Sequence, residues 1–372
     1  MAAWIPACLA PDESSETSRA ADEIPVGVFA ALSGPTGTFG QSTKEGVELA
    51  VDEINDEGGV LGRKIRVLIE DNLGKPDQAV ATVTKLITRD NVVALIGENA
   101  SSRSLAAAPI AQANGVPMIS PSSTNPEVTE KGDYIFRVSY TDPYQGAAIA
   151  EFVRGNLALD RVAILKDVKN DYSVGLADFF RQRFEAMGGK VVVDQSYAEQ
   201  DSDFRSQLTS IRNSNAQAII VPGYYTDVGQ IAIQARELGI DLPLVGGDGW
   251  DSPRLLEIGG EALNGSYFAN HYYPDEDRPA VQEFVLKFEE RYGRLPDSVN
   301  ALSYDAARIL IEAIERAGEV DKAKIRDEIA ATTDYQGVSG VITIGPDRNP
   351  IKPVAILAIR DGRIELEEWV EP

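Results

Sequence analysis

Apolar and polar positions alternate in short blocks along most of this chain. Ile24 to Ala30 is a short apolar run, and Ile65, Val67 and Ile69 alternate with polar neighbours between Lys64 and Asp71. Both patterns predict strands. Between them Val47, Ala50, Val51 and Ile54 recur at helical spacing, which predicts a helix buried along one stripe and stopped by Gly58-Gly59. A second helix starts at Pro76, a favoured first helical position, and buries Ala79, Val80, Val83, Leu86 and Ile87. Strands Val92 to Ile96 and Val116 to Ser120 then flank a helix that runs through Ala113. Strands alternating with helices imply a parallel sheet covered on both faces.

Near Tyr140-Thr141-Asp142-Pro143 the pattern restarts. Strands at Val162 to Leu165, Lys190 to Val193, Ala218 to Val221 and Leu244 to Gly246 alternate with helices that carry Phe179, Phe180 and Phe184, then Phe204, Leu208 and Ile211, then Asp227 to Leu238. Two such series of similar length predict two similar α/β domains, although no sequence repeat links them. Beyond His271 come two long amphipathic helices, a shorter helix around Ile325 and Ile329, and strands near Val341 to Ile344, Val354 to Ile359 and Ile364 to Trp369. Periodicity does not assign these late elements to a domain.

Open α/β sheets bind ligands at the carboxyl edge of their strands. In the first series two successive strand ends carry hydroxyls: Ser101 and Ser102 after one, Ser122, Ser123 and Thr124 after the next. With helix starts behind them, these residues form a cradle suited to a small anionic group such as a carboxylate. They also read as ordinary caps and turn residues. The second series supplies Asp171-Tyr172, Gly223-Tyr224-Tyr225 and Gly246-Gly247-Asp248-Gly249-Trp250 at its strand ends. Asp248, flanked by glycines, is a candidate to face a cationic group, or a turn aspartate. Tyr172, Tyr224 and Trp250 either wall a pocket or belong to the core.

Composition narrows the chemistry. The formal net charge is -23, with no cluster of Lys and Arg, so nucleic acid is not an expected partner. A single cysteine, Cys8, leaves no internal disulfide or cysteine metal cluster, and a single histidine, His271, disfavours a Ser-His-Asp triad or a multi-histidine zinc site. Phosphate-loop, dinucleotide and nucleophile-elbow motifs are missing, and no apolar run approaches the ~18 residues of a membrane span. This argues against most catalytic chemistry, and no metal or cofactor is expected. Ile5-Pro6-Ala7-Cys8 loosely matches the end of a lipoprotein signal, and Leu9 to Glu23 is polar and acidic like a tether. Residues 1–23 read as a disordered leader, with Cys8 either a lipid anchor or incidental.

The segments SGPTGTFGQ, GRKIRVLIEDN, GENASS, ISPSSTNPEVT, NDYSVGLADFF, GYYTDVGQIAIQARELG and GGDGWDSP stand in one order from about Ile24 onward. Together they resemble the leucine/isoleucine/valine-binding protein family of ABC-transporter substrate-binding proteins. The resemblance implies two Rossmann-like αβα domains joined by three hinge crossovers, the type I periplasmic-binding-protein fold. It implies lobes of 24–142 plus 273–344 and of 143–272 plus 345–372, a monomer outside the cytoplasm, and a membrane permease as partner. It further implies that Ser101 and Thr124, with backbone from Ser122 and Ser123, hold a ligand carboxylate. Asp248 then meets the ammonium group, while Tyr172, Tyr224 and Phe39 touch the rest and Trp250 could stack on a bulkier ligand. The chain departs from the family pattern in lacking its common disulfide, with Ala100 at one position, in having Asp for Glu at 248, and in Ser122-Ser123 for an Ala pair. The implied ligand is a small amino acid, branched-chain or related; an amide, urea or aromatic carboxylate is the alternative.

Overall fold

The computed structural model describes residues 23–199 and 201–372. The leader and the possible anchor at Cys8 lie outside them, except that Glu23, expected to end the leader, already pairs with Lys64. Two sheets organise the chain. The first has five parallel strands in the order β2-β1-β3-β4-β5, formed by β1 (Glu23–Ala30), β2 (Lys64–Asp71), β3 (Ala94–Ile96), β4 (Met118–Ser120) and β5 (Ile135–Arg137). The second contains β6 (Arg161–Asp167), β7 (Lys190–Tyr197), β8 (Ala218–Ile220), β9 (Leu244–Gly246), β10 (Ser266–Asn270), β13 (Val354–Arg360) and β14 (Arg363–Val370). Its order is β14-β13-β10-β9-β8-β6-β7. The β6 to β10 pairings are parallel, and β13 and β14 close the sheet antiparallel.

Short central strands such as Ala94-Leu95-Ile96 are buried on both faces, so they read as continuous apolar runs with no alternation. The outer β2 keeps its alternation because one of its faces is partly exposed. β5 and β10 were not expected from the pattern: Ile135-Phe136-Arg137 is three residues long with a charge at its end, and Ser266–Asn270 mixes Ser and Asn with aromatics. Residues 340–342 form β12, which pairs with β11 (Tyr335–Gly337) as a separate hairpin and joins neither large sheet.

The late helices settle on the first sheet. Helix Ser298–Ala317 begins with a capping box in which Asp297 and Asn300 satisfy each other's backbone N–H groups, and it ends at Gly318 in the left-handed conformation. Its Leu302, Ala306, Ile309, Leu310 and Ala313 share a core with Val47, Ala50 and Val51 of helix Gly37–Asp56 and with β1 and β3. The chain leaves the first sheet for the second after β5, returns after β10 to lay the late helices and the β11–β12 hairpin on the first core, and rejoins the second sheet at β13. Among the described residues no helix is long and apolar enough to cross a membrane.

Gly46 sets how closely the two long helices approach. A Cβ there would stand 2.4 Å from the Asn300 carbonyl oxygen, an obstruction by rigid backbone. Gly46→Val is expected to cost about 1–3 kcal/mol by forcing the helices apart. A urea titration reads this as a lower midpoint at unchanged slope; an unmoved midpoint would show that the approach is not tight.

Candidate functional site

The carboxyl ends of β3 and β4 place the hydroxyl-rich turns side by side, facing the second lobe. Ser101 is the first residue of helix Ser101–Ala113, and its Oγ accepts the Asn125 N–H at 3.2 Å, which leaves its own proton to donate. Ser122 Oγ donates to Asn99 Oδ1 at 2.9 Å, while the Asn99 amide donates to Thr43 Oγ1 at 2.7 Å. Ser123 turns inward instead. Its hydroxyl meets the carbonyls of Glu98 at 2.8 Å and Asn99 at 3.0 Å, and its N–H is taken by Ser120 Oγ, so it ties the two turns together within its lobe. Thr124 Oγ1 is buried without a hydrogen-bond partner. A helix was expected behind the second turn, but only Glu127–Glu130 is helical there. A single turn carries little of the dipole that a longer helix would supply.

Two buried cations hold these turns, and neither stood out in the sequence. Arg103 donates from Nε to Glu98 Oε2 at 2.8 Å and from Nη2 to Thr36 Oγ1 at 3.0 Å. The other Glu98 oxygen accepts from Ala31 N at 3.0 Å and Asn72 Nδ2 at 3.2 Å, so one ion pair fastens three loops of the first lobe. Arg137, fully buried at the end of β5, donates to the carbonyls of Ser123 and of Asn125, the latter at 2.7 Å. Burial lowers its pKa to about 10, so it stays charged near neutrality and presses positive potential on the Ser122–Thr124 turn.

Across the cleft, the second sheet presents Tyr172, Tyr224 and Asp248. The two tyrosine rings stack at 5.4 Å, and Phe39 from the first lobe meets Tyr224 edge-on at 5.7 Å. Such aromatic pairs add about 0.5–1.5 kcal/mol each beyond area burial. Tyr172 OH accepts the Gly249 N–H at 3.1 Å, fixing the turn that carries Asp248. Asp248 is itself gripped: Gln145 Nε2 donates to Oδ1 at 2.8 Å, and His271 Nε2 lies 3.0 Å from Oδ2. His271 is fully buried and stacks on Tyr140 at 3.7 Å, and burial lowers its pKa, which favours the neutral ring. Gln145 and His271 were missed because they lie 103 and 23 residues from Asp248, in the first two crossings between sheets. Trp250, expected as a pocket wall, is a core residue. Its indole N–H donates to the Val221 carbonyl at 2.9 Å, and its ring stacks on Phe268.

Between the lobes lies a narrow cleft, closed down to a cavity of ≈ 20 Å³, lined by Phe39, Asn99, Ser122, Tyr172, Tyr224, Asp248, Gly249, Ser298 and Val299. Both lobes contribute, and the lobes are shut on each other. Tyr225 OH donates to the Pro35 carbonyl at 2.8 Å, and Asp171 N donates to Ser102 Oγ at 3.0 Å. Near Asp248 further buried polar groups lack a full set of partners: the Asp142 carboxyl, Gln145 Oε1, and the Thr124 hydroxyl, which faces Asp142. Burial, with Asp248 adding to it, raises the Asp142 pKa well above the ordinary carboxylate range. Buried polar groups left unsatisfied are costly.

Comparison with known proteins places this geometry among relatives. The family described as periplasmic binding protein matches residues 23–363. The chain is 31% identical over 308 residues to the Leu/Ile/Val-binding protein BraC3 of Rhizobium johnstonii, covering 81% of this chain and 82% of that protein. Its fold is similar to the crystal structure of a leucine binding protein from Thermotoga maritima, with a TM-score of 0.91 and 39% identity over 94% of this chain and 99% of that one. It is also similar to the branched-chain amino acid transporter substrate binding protein LivJ from Streptococcus pneumoniae, solved in complex with isoleucine. There the TM-score is 0.90 at 32% identity over 94% and 100% of the two chains.

Removing one member of a buried ion pair strands the other, at about 3–5 kcal/mol. Arg103→Leu is therefore expected to destabilise the protein by that amount in chemical denaturation. Arg103→Leu with Glu98→Gln is expected to cost less than the sum of the two single changes, since no bare charge remains. Additive costs would show that the pair does not act as a unit.

Proposed function

The chain belongs to the periplasmic binding protein family, and from that premise we propose that it is the extracytoplasmic solute receptor of an ABC importer. Its two lobes close on a small α-amino acid, of the branched-chain type or close to it. The observation that carries this reading is the Asp248 carboxylate on the wall between the lobes, whose one basic neighbour, His271, is kept toward its neutral form by burial. A primary ammonium group brings three donors and a positive charge to that carboxylate. An amide, a urea or an aromatic carboxylate brings no such charge, which disfavours the alternative ligands.

In this reading Asp248 meets the ammonium, and Ser101, Ser122 and Thr124 serve the carboxylate. Ser123 shapes their turn from behind. Phe39, Tyr172 and Tyr224, joined by Val299, surround the aliphatic side chain. The lobes are taken as residues 24–142 with 273–344 and 143–272 with 345–372, a division supported by the two sheets and their separate cores. The function is capture and release, not catalysis: the one histidine is spent in holding Asp248. The protein works as a monomer, and the partner that receives the ligand is a membrane permease.

Calorimetry with L-isoleucine, L-leucine and L-valine tests the reading. Asp248→Ala leaves an enclosed ammonium without its counter-charge, a loss of about 2–5 kcal/mol. The dissociation constant is expected to rise by roughly tens- to thousands-fold. An unchanged affinity in that variant would remove Asp248 from the ligand, and benzoate or acetamide binding in place of the amino acids would overturn the ligand class.

A further inference from the structure

The lobes also meet at a point set apart from the hydroxyl cradle. The turn after Asp248 runs into Asp251, whose Oδ2 accepts the N–H of Ser298 from the other lobe at 2.7 Å. Ser298 is the first residue of a long helix already capped by an acid. Asp297 Oδ1 accepts from Asn300 N at 2.9 Å, and its Oδ2 accepts from Ser42 Oγ at 2.6 Å. Closing the lobes therefore seats a second carboxylate on a helix start that has one, and both residues are nearly buried, at 8% and 9% exposed. A helix N-terminus offers about half a positive charge, which does not balance two negative ones.

The surroundings do not supply the missing charge. Arg294 is drawn to Glu45 and only partly offsets Asp297; Arg363 lines the same groove but, among the described residues, forms no ion pair with either acid; and His271, which lies within reach of Asp251, is kept toward its neutral form by burial. Tyr272, on the second crossing, has a buried hydroxyl with no partner, and Asp275 and Glu276 beyond it add negative charge. Ser252, next to Asp251, spends its hydroxyl on Thr38 Oγ1 at 2.9 Å. The remaining way to seat both carboxyls is for one to carry a proton.

We propose that Asp251 and Asp297, brought to one helix start when the lobes close, form a proton-linked latch across them, so that closure takes up one proton and tightens the hold on ligand. The inference rests on the reading of the protein as a receptor whose lobes part and close. In the closed form, burial and the neighbouring Asp251 raise the pKa of Asp297 to about 7. In the open form Asp251 withdraws and water returns, so the group falls back toward the ordinary carboxylate range. The closed form thus binds more protons than the open form between those limits, and closure is favoured as pH falls through about 7. Below the ordinary carboxylate range both forms are protonated and no further gain accrues.

The test is the pH dependence of L-isoleucine affinity in wild type, Asp297→Asn and Asp251→Asn. Asparagine at 297 still caps the helix, and asparagine at 251 still accepts from Ser298. Wild-type affinity is expected to be about tenfold higher at pH 6 than at pH 8.5, for one proton linked with a closed-state pKa near 7. Asp297→Asn is expected to lose this dependence and to bind at pH 8.5 at least as tightly as wild type, and Asp251→Asn to reduce it. Asp227 and Lys352, which burial also brings to about 7, are untouched in these variants, so the difference in slope belongs to the latch. Equal slopes in wild type and Asp297→Asn would overturn the proposal. Should isoleucine fail to bind wild type at either pH, the ligand reading falls, and small-angle scattering of the unliganded chain decides the latch alone. A shift toward the compact form at pH 6, lost in Asp297→Asn, supports it; the same profile in both overturns it.

Discussion

A charged guest can be shut away from water only where each of its charges meets partners already fixed in place, because loose partners would have to be ordered at the moment of binding. This constraint accounts for much of what surrounds the cavity. Asp248 has little freedom of its own: Gln145 and His271 hold one oxygen each, and the Gly249 N–H beside it is pinned by the Tyr172 hydroxyl. A carboxylate on a shorter stem than glutamate is thereby set at a defined depth. Gly247 and Gly249 permit this, since a Cβ at Gly247 would stand 2.5 Å from the Tyr172 hydroxyl and one at Gly249 2.8 Å from the Gly223 carbonyl.

The first lobe meets the same requirement with cations placed behind the turns. Arg137 fills a position where no carboxylate is bonded to it, and its guanidinium is spent on backbone carbonyls of the turn itself. Those carbonyls cannot then face the cleft, and the turn presents hydroxyls there instead. The Glu98–Arg103 pair does for the preceding loop what a covalent link would do. Ala100, two residues on, donates its N–H to the same Glu98 carboxylate at 2.7 Å. A buried ion pair of this kind fixes geometry more dependably than it adds stability.

The fold was legible wherever burial imposed a period. Helix Gly37–Asp56 and β2 carry their repeats openly, and the hydroxyl turns follow from where strands end. The weaker signals came from elements whose character is tertiary. β10 takes its place because β9 and β13 flank it, and nothing in Ser-Tyr-Phe-Ala-Asn announces that. The site behaved in the same way. Tyr172, Tyr224, Asp248 and Ser122 were visible as strand-end or turn residues and Phe39 only through the family resemblance, and the cavity gathers them. Asn99 passed unremarked inside a turn read for its serines, and Trp250 was read by its neighbours in sequence although its indole turns back under the sheet. Partners such as Gln145 and His271 come from different crossings, and only the folded chain sets them on one carboxylate.

That shared carboxylate links binding to hinge. Tyr140 and His271 belong to the first and second crossings, and their stacked rings couple the two strands of chain that must bend when the lobes part. The third crossing is tied in by Lys352, buried, which donates to the Val138 carbonyl of the first crossing at 3.1 Å and to Ser339 Oγ at 2.7 Å. Ser339 in turn donates to Asp305 on the long helix at 2.6 Å. All three crossings are therefore joined by polar contacts with little access to water, where each bond lost would leave a buried group unpaired. The carboxylate proposed to meet the ligand ammonium adjoins His271 and, through its stacked ring, Tyr140. Asp248 is thus held by residues of the crossings themselves, Gln145 from the first and His271 from the second.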